Sequence, residues 1–342
     1  MTTSAVREHV SAFDVMRTVA ATAVVVIHVL GPYRDRLGEI PDSHWMSAIA
    51  LNGMSRWCIP VFIMITGALL LSDPRPLKFG YFLRRRVAKV LIPFLVWSVL
   101  YAVVAGLSLD GHDAALTTAL LKELPTHETY YHLAFFYYFI PLYLLIPVLK
   151  PLADAQRRGV IFALTAAWLV LTVLYLFEAE GIFGIDLVMY GGYLLLGYVL
   201  FTRARPSSAS FASLALLGLT AVAIADYAVI STSLDAGRYH PGDWFSYKTV
   251  NTVLLAAFVF AGVLAYDHRL SARTFRLFEF VGRHSLGVYL IHPLFLWPVR
   301  AFDLYYGHPL LMIPFWTFVC GGAALTVSWL LRRHRVTAWL VP

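Results

Sequence analysis

Ten apolar runs occupy most of this chain, and each has about the twenty residues that a helix needs to cross a bilayer. Their approximate limits are Phe13–Leu30, Met46–Leu71, Leu83–Gly106, Tyr130–Leu149, Val160–Phe177, Gly184–Thr202, Phe211–Thr232, Tyr247–Asp267, Glu279–Val299 and Pro309–Leu331. Hydrocarbon offers no water to backbone N–H and C=O groups, so such a chain is expected to be an all-α polytopic membrane protein. Composition closes the alternatives. Hydrophobic residues make up 59% of the chain and charged residues 14%, against about 25% charged in soluble domains. A cytosolic globular enzyme, a disordered chain and a disulfide scaffold are thereby excluded. The two cysteines, Cys58 and Cys320, lie inside apolar runs and read as small packing residues. Prolines interrupt several runs, at Pro60, Pro93, Pro141, Pro147 and Pro293, which neighbouring helices tolerate in lipid. The longest remaining segment, about 107–129, reads as a loop, and residues 1–342 read as a single integral-membrane domain without internal repeats.

Basic residues orient the runs. With both termini cytoplasmic, the inner segments hold 17 of the 27 lysines and arginines, among them Arg7, Arg84, Arg85, Arg86, Lys150, Arg157, Arg158 and Arg205. The outer segments hold six, including Arg34, Arg36 and Arg300, and four more (Arg17, Arg56, Lys89 and Arg283) fall within runs. Anionic lipid and the membrane potential retain positive charge on the inner side. The formal net charge of +7 is accounted for in this way without any nucleic-acid partner. The first run carries Asp14 and Arg17 and ends in Val29-Leu30-Gly31-Pro32, a poor cleavage site, so it reads as a retained helix rather than a signal peptide.

Charged or strongly polar side chains inside spans are costly and default to function. Here they are Asp14, Arg17, His28, Arg56, His132, Asp186, Asp226 and His292. Arg17 and His28 are eleven residues apart on one predicted helix. At about 100° per residue they return to within roughly 20° of one face, about 16 Å apart along the axis. Taken singly, Arg17 reads equally as a side chain snorkelling to lipid phosphate, and His28 as a hydrogen-bond partner of a neighbouring helix. Asp14 lies one turn before Arg17, where it can orient the guanidinium. His132, flanked by Glu128 and Tyr131, and His292 fall at a depth similar to that of His28, which suggests a polar chamber. The spacing matches no metal-ligand pattern and no cysteine joins the set, so no metal is expected. A histidine general base fits better, because imidazole titrates near working pH. Along Leu83–Pro93, basic residues at i and i+3 (Arg86 and Lys89), with Arg85 beside them, can grip phosphate, although inner-end arginines also serve simply as topology anchors.

These residues bring the chain close to a known family. It resembles the membrane-bound acyltransferase 3 family, and within it the surface-polysaccharide O-acetyltransferases of the enterobacterial common antigen type. The resemblance runs over about residues 10–331. Phe13-Asp14-Val15-Met16-Arg17 followed by His28 matches the family's arginine, ten residues, histidine motif. Val61-Phe62-Ile63-Met64-Ile65-Thr66-Gly67 is similar to its second-span motif, with Thr66 in place of serine. Arg85-Arg86-Val87-Ala88-Lys89 with Ile92-Pro93-Phe94 is similar to its basic motif, with Lys89 where arginine is usual. Lysine keeps the charge and loses the bidentate fork. Tyr131-His132-Leu133 through Tyr143 and Pro147 is similar to the fourth span, with Ala134 where subgroup members carry tryptophan, and Gly282 through Pro293 is similar to the late serine-glycine-tyrosine-histidine segment.

The resemblance implies an O-acyltransferase in a bacterial inner or plasma membrane. It would take acyl-CoA, usually acetyl-CoA, from the cytoplasm and acylate a hydroxyl of an extracytoplasmic carbohydrate or glycoconjugate. His28 is then expected to act as the general base. Arg17 would position the donor, Arg85, Arg86 and Lys89 would hold its phosphates, and His132, His292, Glu128 and Tyr131 would contact the acceptor. One continuous tunnel, with Arg17 at its inner and His28 at its outer boundary, would carry the pantetheine arm. The alternative from another class is an exporter or flippase of a carbohydrate or lipid-linked sugar, since kinked helices around a polar midplane also suit transport.

Overall fold

The computed structural model describes residues 3–154, 158–177, 186–203 and 207–342, without the side chains of residues 3–11, 154 and 158. Gly184, Arg157 and Arg205, and the side chains of Arg7 and Arg158, lie outside the described residues. Helices make up nearly all of what is described. Eight are long and apolar enough to cross a membrane, and Asp186–Thr202 is a shorter apolar helix. This is the all-α polytopic architecture that the apolar runs dictate.

In chain order the helices are α1 (Thr3–Val29), α2 (Asp42–Ser55), α3 (Cys58–Leu71), α4 (Phe79–Phe82), α5 (Ala88–Ala105), α6 (Ala114–Glu123) and α7 (Ala134–Asp154). They continue with α8 (Arg158–Leu176), α9 (Asp186–Thr202), α10 (Ser208–Ala236), α11 (Val250–Tyr266), α12 (Ala272–Arg283), α13 (Ser285–Ala301) and α14 (Pro309–Arg333).

Three details differ from the sequence expectation. The predicted run 46–71 is two helices, α2 and α3, separated at Arg56 and Trp57. Pro60 explains the restart: it has no N–H to return to the Arg56 carbonyl, and the third position of a new helix needs none. The predicted run 279–299 is likewise divided. Helix α12 ends at Arg283 and α13 begins at Ser285. Helix α12 lies tight against α1, where a Cβ on Gly282 would come within 2.6 Å of the Asp14 carbonyl oxygen and the Thr18 hydroxyl is 2.8 Å from the Phe278 carbonyl. Finally, the predicted loop 107–129 contains a small hairpin, β1 (Leu107–Ser108) with β2 (Gly111–His112), followed by α6. Asp113 caps α6, accepting from the Leu116 N–H at 2.9 Å.

The core lies around α3. Its Val61, Ile63 and Met64 are fully buried. Helices α3 and α9 approach closely because each places a glycine against the other's backbone. Gly67 faces Leu194 and Gly197 faces Met64, with no room at either for a Cβ. Helices α10 and α14 form the periphery and present large apolar side chains outward, such as Leu216 at 68% and Phe318 at 81% exposure. Helix α1 runs through the interior, against α3, α12, α13 and α14, and so carries its polar residues into the protein.

Candidate active site

His28 occupies the last turn of α1. Across from it, α13 presents His292, which is fully buried. His28 Nδ1 lies 2.7 Å from His292 Nε2, with the two rings parallel to within 3°. The partners fix the protons. His292 Nδ1 is 3.0 Å from the Val288 carbonyl oxygen, which can only accept. In neutral His292, Nε2 is therefore the lone pair, and His28 Nδ1 donates to it. The proton-accepting position left on His28 is Nε2. One imidazole is thus oriented by a second, which is itself anchored to its own helix.

His132 sits on the short turn Tyr131–Leu133 that precedes α7. Its ring centroid is 5.9 Å from that of His292 and 6.5 Å from that of His28. Tyrosines enclose it: Tyr101 at 4.5 Å, Tyr131 at 5.6 Å, Tyr289 at 5.7 Å and Tyr130 at 5.8 Å between centroids. Both ring nitrogens of His132 are buried without a hydrogen-bond partner. The Tyr289 hydroxyl donates to its carbonyl oxygen, and the Tyr101 hydroxyl donates to the Leu290 carbonyl at 2.6 Å. The three histidines expected at one depth are therefore brought together. Among the described residues no group of His, Cys, Asp and Glu has the arrangement of a metal site.

A cavity of about 630 Å³ opens beside His28 and is lined also by Tyr131, Arg34, Arg36, Arg300 and Tyr305. Its arginines hold the end of α1. A helix leaves its last carbonyls without internal partners, and here Arg34 reaches the Ile27 carbonyl at 3.3 Å while Arg300 reaches the His28 carbonyl at 2.8 Å. Arg36 pairs with Asp303.

Near the middle of α1, eleven residues before His28, Arg17 is bound to Asp14 at 2.9 Å. Arg17 lines a cavity of about 200 Å³ together with Thr66, Arg86, Phe136, Tyr143 and Tyr289. Arg86 and Leu70 are also walls of an adjoining cavity of about 590 Å³, which holds Arg75, Lys78 and Lys150. Asp73 is the carboxylate in that second lining. Hydrogen bonds from Arg75 hold its carboxyl below the usual carboxylate range, so it is already matched. Lys150, which reads from the sequence as a topology anchor, is buried and donates to the Asp73 carbonyl.

The remaining predicted site residues lie elsewhere. Arg85 is exposed and packs over the Tyr81 ring at 5.9 Å. Lys89 is exposed too, and neither lines the cavities that Arg86 joins. Glu128 belongs to a separate surface cavity with Tyr137, Tyr138 and Asp186. Arg56 stacks over Phe245 and Tyr247 at 5.4 Å, and Asp226 packs on Gly53, both away from the histidines. In place of the expected single tunnel, Arg17 and His28 line two cavities that share no lining residue, and Tyr289 on the wall of the first packs against His292, which stacks on His28 of the second.

Arg300 and Tyr289 carry no role in the sequence reading. Tyr289 had a signal, since it precedes His292 by three residues and so shares its helix face. Arg300 reads there only as an outer-side charge, because its contact with α1 depends on how two distant helices pack.

A family model described as an acyltransferase domain matches residues 10–333. No curated protein and no solved structure matches the chain. The matched stretch includes Arg17 and His28 on α1, the paired histidines and the cavities that Arg17 and His28 line. The chain belongs to the acyltransferase 3 family and is a multi-pass membrane acyltransferase.

Proposed function

We propose that this protein moves an acyl group, acetyl by its resemblance to O-acetyltransferases, from cytoplasmic acyl-CoA to a hydroxyl of an extracytoplasmic carbohydrate or glycoconjugate. The observation that carries this reading is the proton arrangement at His28, where Nδ1 is engaged by His292 at 2.7 Å and Nε2 is left to accept. His28 Nε2 takes the proton of the acceptor hydroxyl as its oxygen attacks the thioester carbonyl. His292 then accepts a hydrogen bond from the His28 imidazolium, and the proton passes on to the departing CoA thiolate. General-base help of this kind contributes about 10²–10⁴ in rate.

Donor handling falls to the Arg17 end of the Arg17–His28 stretch. The 590 Å³ cavity with Lys78, Arg86 and Lys150 on its walls has the chemistry for the phosphates of the nucleotide. The aromatic cavity beyond Arg86, with Phe136 and Tyr143, suits an uncharged pantetheine arm. The thioester reaches His28 when the ring layer at Tyr289 parts.

The test uses purified protein in liposomes with acetyl-labelled acetyl-CoA and a surface-glycan acceptor. Wild-type protein leaves label on glycan, and His28→Ala transfers about 10²–10⁴ more slowly while still binding acetyl-CoA. A His28→Ala variant at the wild-type rate ends the proposal. Glycan movement without label or CoA dependence marks an exporter instead.

A further inference from the structure

Resting on the acyl-transfer reading above, the geometry points to Arg300 as a further catalytic residue: its guanidinium holds the oxyanion formed when the thioester carbonyl is attacked. Three observations converge on it. Arg300 and His28 line the same cavity, so a carbonyl placed for His28-assisted attack lies within their common space. The guanidinium is fixed from two directions, by its 2.8 Å hydrogen bond to the His28 carbonyl and by the Tyr131 ring, over which its central carbon sits at 4.5 Å. The same Tyr131 ring also meets His28, at 4.9 Å between centroids. Cation, tyrosine and base thus form one packed unit.

The third observation is charge. Among the described residues no carboxylate pairs with Arg300. The neighbouring Asp303 is engaged by Arg36, and the other described ion pairs lie elsewhere. Asp35, Glu39 and Asp303 also stand on the cavity wall, yet none pairs with the half-buried guanidinium of Arg300, so its charge is left for a ligand in the cavity. In the reaction, the acceptor O–H bond breaks, its proton goes to His28 Nε2, and the new C–O bond pushes the carbonyl π pair onto oxygen. That oxygen is where negative charge develops, and a fixed guanidinium needs no reorganisation to meet it. Collapse restores the carbonyl, breaks the C–S bond, and the thiolate leaves with the proton from His28. Arg300 exchanges no proton at any step.

A residue that merely pinned the end of α1 would slow every acyl donor alike, whereas an oxyanion partner matters less when the acyl group carries its own electron withdrawal. The experiment compares acetyl-CoA with fluoroacetyl-CoA in wild type, Arg300→Gln and Arg300→Lys, each in liposomes with the glycan acceptor. With acetyl-CoA, Arg300→Gln is expected to lose about 10²–10³ in kcat with the KM for acetyl-CoA within about twofold. With fluoroacetyl-CoA the deficit shrinks several-fold. Arg300→Lys keeps the charge and recovers about a tenth of wild-type kcat; if Arg300→Gln does not fold, this variant carries the donor comparison. Equal deficits with both donors, or unchanged kcat in Arg300→Gln, overturn the assignment while leaving the His28 reading intact. Absence of any acetyl transfer by wild type overturns the function itself, and the assignment with it.

Discussion

The stretch of α1 from Arg17 to His28 is built differently at its two ends. At the histidine end every group has a fixed place: His28 is held by His292 through its ring and by Arg300 through its carbonyl, and His132 is enclosed by four tyrosines. At the arginine end the cations stand at open walls. Arg17 pairs with Asp14, Arg86 is exposed, and Arg85 and Lys89 are exposed and line neither cavity. The contrast fits the demands of acyl transfer. Bond-making needs atoms placed within fractions of an ångström, whereas gripping a charged nucleotide tolerates mobile cations, since Coulomb attraction is non-directional and long in reach.

Substitutions can break this contrast. The largest expected effect among them is at the rigid end. His292→Ala frees the His28 ring and its tautomer, and kcat should fall by roughly 10² or more. His292→Gln, whose amide oxygen can accept from His28 Nδ1, should recover part of that loss. A His292→Ala variant with wild-type kcat would mean that the paired imidazoles are only packed together. At the open end the expected change is in binding. Arg86→Ala should raise the KM for acetyl-CoA about tenfold, equivalent to about 1.4 kcal/mol, with kcat little changed and the effect weaker at high salt. A fall in kcat instead would move Arg86 into the rigid machinery. Smallest of all are Arg85→Ala and Lys89→Ala, each expected within about twofold of wild type in the same titration, as is usual for exposed charges. A tenfold rise in KM for either would extend the donor site beyond the walls described above.

The apolar runs made the architecture legible, because length and hydrophobicity suffice where lipid permits only helix. The placement of Arg17 and His28 on one helix also followed from spacing, and the structure puts both on α1. The breaks at Arg56–Trp57 and His284 fall at short polar interruptions, Ser55-Arg56 and Arg283-His284-Ser285, which a reading by run length passes over. Which of Arg85, Arg86 and Lys89 faces inward was hidden for a specific reason. Leu83–Val87 forms a π-helical turn, and its wider turn shifts the phase on which a 100° reading depends. Glu128 adjoins His132 in sequence, yet the turn Tyr131–Leu133 sends it to another cavity. The contacts of His28 with His292, and of Arg300 with both His28 and Tyr131, all join residues more than 100 positions apart. No local pattern encodes it.

The layer of rings between the two cavities has a consequence for the cell. A permanently open pore wide enough for a coenzyme tail would also conduct protons and small ions, and would drain the electrical gradient that a living membrane maintains. Rings packed as Tyr289, His132 and His292 are would keep the two aqueous phases insulated between turnovers of the proposed reaction, so that chemistry could cross the barrier without short-circuiting it.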